Sequence, residues 1–293
     1  MPAGCCAITA AVFGETVRAI TAERDGTVRE WDVHSGQQIR VLGDDCGSIN
    51  DVTTMAINGE PTIVVSGLQG VRFWSAVSGA PQSRPPGAYA DMLTSVHVVR
   101  MGDGCDALLL GDRFGAIECW PNASMLAWRV LMGVGGTPPL WALGGAVDRA
   151  GSLAVACIEG RLQSIDLLRG RITHDIAIDG GVSLGMASFR TGAADYVALI
   201  VGTDVVVADP IHGIVEFRWS AGPSPLRRIS VMPSHGRILL ATISLDGTVG
   251  IWTPQGEHVA GAWLPGEGAA IAPAAHHTVV AGYVNGWSVL TLP

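Results

Sequence analysis

The chain has 293 residues, of which 48% are hydrophobic and only 15% charged, with 39 glycines, 16 prolines and a formal net charge of -8. All 18 basic residues are arginine, which excludes lysine Schiff-base and amine-nucleophile chemistry, and the acidic balance argues against sequence-independent nucleic-acid binding, which needs clustered cations to displace counterions. One body of this length buries roughly 75% of its unfolded surface, so the core is ample, and the high apolar share calls for segments buried on both faces.

From the start of the chain, the apolar run 5–13 has neither the basic flank nor the length of a secretory signal, and Pro2-Ala3-Gly4-Cys5 lacks the hydrophobic segment of a lipoprotein signal. Strands are expected at 7–12, 17–22, 27–32 and 38–42, with Gly36 in the turn before the last. The third ends the stretch Glu23-Arg24-Asp25-Gly26-Thr27-Val28-Arg29-Glu30-Trp31-Asp32, where Asp-Gly supplies a tight turn and Thr-Val-x-x-Trp a β-branched and aromatic strand. A close copy, Ser244-Leu245-Asp246-Gly247-Thr248-Val249-Gly250-Ile251-Trp252-Thr253, stands near the other end. Two copies imply a repeat array.

Aligning each segment on its turn gives a ladder at Trp31, Trp74, Trp120, Ile165, Ala208, Trp252 and Thr291, with steps of 43, 46, 45, 43, 44 and 39 residues. That is the period of four-stranded propeller blades, and seven copies reach the end of the sequence. Three residues earlier stand Val28, Val71, Ile117, Leu162, Val205, Val249 and Ser288, six of them aliphatic. The repeated stretch resembles the WD40 repeat, and residues 57–67 are similar to repeats of bacterial, especially actinobacterial, WD40 proteins. Thr21, Asp25 and Trp31, and again Thr242, Asp246 and Trp252, match three members of that family's hydrogen-bond set, while the Gly-His dipeptide that supplies its histidine is absent. Packing must therefore supply most of each blade's rigidity.

The remaining repeats follow in order. Strands are expected at 51–56, 62–66 and 71–75 before the Pro-rich segment 81–86, then at 93–99, 107–110 and 116–120. Repeat four gives 140–147, 153–158 and 161–166, and repeat five 183–189, 196–201 and 205–209. Repeat six, 226–252, recovers the full pattern, and repeat seven, from 269, ends on a third strand at 288–293. No helical period is sustained. The expectation is an all-β fold, a single domain over 1–293 forming a seven-bladed β-propeller of WD40 type whose last blade has three strands and an open outer edge suited to weak self-association.

The uncharged stretches 130–147 and 268–293 are broken by glycine, proline and histidine, so they read as strands and turns rather than membrane helices. Six cysteines without C-x-x-C spacing fit small buried thiols in a reducing cytoplasm better than disulfides or zinc. Gly181-Val182-Ser183-Leu184-Gly185 matches a nucleophile-elbow pattern, but Ser183 should begin a strand with no helix after it. Asn122-Ala123-Ser124 is an incidental sequon, and His276-His277, which would point to opposite faces of a strand and so do not suit one metal, are expected as surface or turn histidines. No metal, cofactor or catalytic order is expected.

Candidate site residues lie where a propeller's loops converge on its channel: Asp51, Asp91, Arg227, Arg228 and Glu267, with Trp141 or Trp128 as an aromatic anchor and Asp44-Asp45 as solvated loop charge. Arg227 and Arg228, paired cations in an acidic chain, are expected to contribute most. The family resemblance implies a non-catalytic platform for protein partners, while the acidic balance argues against nucleic acid and the broken apolar stretches against a membrane. The alternative is a small-molecule pocket at the central channel, including an enzyme of bacterial specialised metabolism.

Overall fold

The computed structural model describes residues 4–83, 92–101, 104–121, 129–132, 143–148, 151–180, 183–192, 194–275 and 277–292. Seven antiparallel sheets follow one another along the chain as the blades of a β-propeller, and there is no helix among the described residues. Six sheets have four strands and the seventh has three. The inner strands Cys5–Phe13, Ile49–Ile57, Leu93–Arg100, Leu143–Asp148, Ser183–Thr191, Leu226–Ser234 and Gly268–Ala275 surround a central channel.

Each blade hides both faces against its neighbours, which is why runs such as Val205-Val206-Val207 show no polar alternation. The apolar core is accordingly divided into clusters that each span two adjacent blades. Ile20 and Val28 of blade one pack with Ile49, Ile63 and Trp74 of blade two, and so on around the ring. The last interface joins Ala270, Ala272 and Val280 of blade seven to Cys5, Ile8 and Ala19 of blade one. There Trp31 meets Trp287 with ring centroids 5.7 Å apart. Among the described residues the ring thus closes by packing, with no strand laid on the outer edge of Gly286–Thr291.

The aspartate-threonine-tryptophan geometry forms in both regular repeats. Trp31 Nε1 donates to Thr21 Oγ1 at 2.8 Å and Trp252 Nε1 to Thr242 Oγ1 at 3.0 Å, while Asp25 and Asp246 accept the N–H of Thr27 and Thr248. Elsewhere packing replaces this set: Trp74 and Trp120 are buried, each such side chain contributing about 3 kcal/mol or more by area. A polar stitch joins blades one and two, where buried Glu30 holds Arg18 and Arg40, and both guanidinium groups also donate to the Ala76 carbonyl.

Six rungs of the sequence ladder keep their register: Trp31, Trp74, Trp120, Ile165, Ala208 and Trp252 each pair with the equivalent residue of the second strand. The seventh is displaced by one. In blade seven Trp287 pairs with Gly282 and Leu290 with Val279, so Trp287 and Leu290, rather than Ser288 and Thr291, take the aliphatic and tryptophan positions. Its two-residue turn, Val284-Asn285, matches those of blades two, four and five at Leu68-Gln69, Glu159-Gly160 and Gly202-Thr203, and the same count from the turn puts Trp287 and Leu290 on the two positions. The third strand is Gly286–Thr291 rather than 288–293.

Candidate functional site

The upper face is the one on which each chain segment enters an inner strand. Near their upper ends the inner strands of blades one, two, three, five, six and seven share a register shift, for example between Ile49 and Asp51 and between Leu226 and Arg228. A bulge of this kind re-aims the side chains around it. The first paired residues beyond it include Ala7, Asp51, Ser95, Arg228 and Ala270, which all line the channel cavity of about 290 Å³. In blade five the first paired residue is Met186, so small or apolar side chains occupy these positions except at two, one acid and one base.

Asp51 is tied to the sheet by its own oxygens: Oδ1 accepts Val52 N–H at 3.0 Å and Oδ2 accepts Val96 N–H from blade three at 3.3 Å. Burial pushes its pKa up, against the opposing pull of the Arg228 charge. Arg228 reaches the neighbouring blade five, where Nη1 donates to the Leu184 carbonyl at 2.8 Å. The Arg228 side chain packs along Gly185, where an added Cβ would make ordinary van der Waals contact with Arg228 Cδ. Cys6 lies close by, its thiol pushed up to about 11 by burial, so it remains protonated at neutral pH.

Deeper in the channel, His97 Nε2 and Ser188 Oγ are 3.4 Å apart, and Ser188 Oγ accepts Gly145 N–H at 2.8 Å. Blade four makes room for this meeting of blades three and five through Gly144 and Gly145, where added Cβ atoms would strike Ser188 and Val99. Burial lowers the His97 pKa to about 4, which keeps the imidazole neutral. The separation is long for base activation of a serine, and among the described residues no carboxylate bonds the other ring nitrogen. Ser183 of the G-x-S-x-G stretch is buried, begins an inner strand and donates to the Gly185 carbonyl at 3.1 Å.

Of the sequence-predicted residues, Asp51 and Arg228 are brought together in the channel. Arg227 is not: both arginines belong to the inner strand rather than a loop, and the bulge sends exposed Arg227 to the rim while Arg228 turns inward. Glu267 is exposed on the upper face, its carbonyl accepting Val284 N–H. Asp91, Trp141, Trp128 and the sequon 122–124 lie outside the described residues.

Two features escaped the sequence reading. On the upper rim, backbone bonds string Leu68, Met92 and Arg113 together: Met92 N–H donates to Leu68 O and Arg113 N–H to Met92 O. Asp112 Oδ1 accepts the N–H groups of Phe114 and Ala116, both at 2.8 Å, and this turn holds the phenyl ring outward at 54% exposure with Arg113 lying over it. The signal was an aromatic residue inside an Asp-x-x-Gly turn. On the lower face, His235 and His277 stack with centroids 3.7 Å apart beside a groove of about 790 Å³, and Ser234 Oγ lies 2.7 Å from His277 Nδ1. His277 therefore partners a residue of blade six.

All six cysteines are free, and no group of three metal-ligating side chains occurs among the described residues. No helix among those residues is long and apolar enough to cross a membrane. In comparisons with known proteins, no protein-family model and no curated protein matches the chain. The β-propeller is the class that the fold defines.

Proposed function

We propose that the chain is a WD40-type propeller that acts without catalysis as a docking platform for a protein partner in the cytoplasm. The observation that carries this reading is the upper-rim patch of Leu68, Met92, Arg113 and Phe114. Leucine and phenylalanine side chains 43% and 54% exposed on rigid turns, flanked by methionine and arginine, have the composition of an interface anchor rather than of ordinary surface. Arg227 on the same face adds a cation suited to an acidic rim on the partner. The Thr-Asp-Trp geometry of blades one and six supports the WD40 assignment, and the likeness of 57–67 to bacterial repeats supports a bacterial source. The open edge of Gly286–Thr291 suits weak pairing with a second copy.

The test is affinity capture from the native cell with the wild-type chain, Phe114→Ser, Arg227→Ala and, as a control on an exposed outer strand, Trp263→Ser. A partner captured by the wild type and the control should be lost with Phe114→Ser and weakened with Arg227→Ala, at unchanged melting temperature. Capture that survives Phe114→Ser but is lost with Trp263→Ser would move the docking surface to the blade edge and refute the reading.

A further inference from the structure

We propose that the upper channel binds a small zwitterion of the amino-acid type, its ammonium group on Asp51 and its carboxylate on Arg228. Both side chains line the same cavity of about 290 Å³, from equivalent register positions of blades two and six, which stand on opposite sides of a seven-bladed ring. The Arg228 charge acts on Asp51, yet no ion pair forms between them. Opposite charges lining one cavity without contact forgo the attraction that normally offsets the cost of removing them from water. The fold holds them apart: Asp51 is fixed by the Val52 and Val96 amides, and Arg228 by the Leu184 carbonyl.

Unused hydrogen-bonding capacity points the same way. Arg228 uses only Nη1 among the described residues, on the Leu184 and Arg227 carbonyls, leaving Nε and Nη2 for a carboxylate. Each Asp51 oxygen accepts one bond and retains a second lone-pair site for an ammonium group. A simple anion would meet the Asp51 charge, a simple cation would meet Arg228, and an apolar molecule would leave both unsolvated. The cavity corresponds to about ten waters at roughly 30 Å³ each, room for a molecule of amino-acid size. His97 in the cavity lining and Cys6, which feels the Arg228 charge, are both neutral and leave the dipolar pattern unchanged. This inference goes beyond the docking platform, since the rim patch is not part of the cavity lining.

Isothermal titration of the full chain at low salt decides it, with glycine, β-alanine and γ-aminobutyrate as zwitterions of increasing charge separation, and propionate and propylamine as single-charge probes. At least one zwitterion should bind roughly tenfold or more tightly than either single-charge probe. Asp51→Asn and Arg228→Gln should each weaken it roughly tenfold or more, and Asp44→Asn on the exposed loop should not. Thermal melting of each variant reports folding separately, since Asp51→Asn turns an NH₂ group toward the Val52 or Val96 amide and is expected to lower the melting temperature somewhat while the chain stays folded. No heat from any zwitterion at about 10 mM, or propionate binding as tightly as the best of them, would overturn the proposal. That result would leave the rim patch and its capture experiment untouched.

Discussion

Replacing Glu30 by glutamine tests whether the stitch between blades one and two carries stability. The Glu30 side chain is 0% exposed, with Oε1 2.8 Å from Arg18 Nη1 and Oε2 in contact with Arg40 Nε. Glutamine keeps the shape but removes the charge and turns an NH₂ group toward one guanidinium. Breaking a fully enclosed ion pair costs about 3–5 kcal/mol. The two arginines are 23% and 24% exposed, so water screens part of their charge and the expected loss is about 2–3 kcal/mol. Unfolding entropy for a chain of this size is about 0.6 kcal/mol/K, which converts that loss into a melting temperature lower by about 3–5 °C. Thermal denaturation followed by circular dichroism at neutral pH reads the shift. Asp175→Asn, which breaks the solvent-exposed pair with Arg161, is the comparator and should leave the melting temperature unchanged. The reasoning fails if Glu30→Gln melts within about 1 °C of the wild type, or if the two variants lose the same amount.

The channel and the last blade give two further expectations. The folded chain holds His97 neutral with its pKa pushed down to about 4 by burial, whereas the unfolded chain binds that proton near the ordinary value of 6.5. Stability from this group is complete above pH 6.5 and declines as pH falls toward about 4, so the wild type should lose melting temperature faster than His97→Asn over that window; parallel curves would refute the assignment. In native-state hydrogen exchange, amides of Thr278–Tyr283 and Gly286–Thr291 in the three-stranded blade should exchange faster than those of Thr248–Trp252, which are covered by an outer strand. Equal protection in both regions would show that blade seven is as stable as blade six.

The repeat period, the all-β fold and the register of six blades were legible in the sequence because each is encoded locally. A turn such as Asp25-Gly26, a β-branched run and a tryptophan at fixed spacing specify a hairpin and its buried face without reference to the rest of the chain. In blade seven the ladder stood one residue too far along, since the count from the turn that holds in blades two, four and five puts Trp287 rather than Ser288 on the packed position. The channel was not legible in the same way. Asp51 and Arg228 stood out as charges near inner strands, but nothing local shows that they occupy equivalent rungs on opposite blades, or that the bulge sends Arg227 outward and Arg228 inward. His97 and Ser188, 91 residues apart, meet only because glycines in blade four leave the space between them. Which side chains meet across the channel is thus a property of ring closure: the local pattern sets each strand, and the packing of seven blades around one axis sets what faces what.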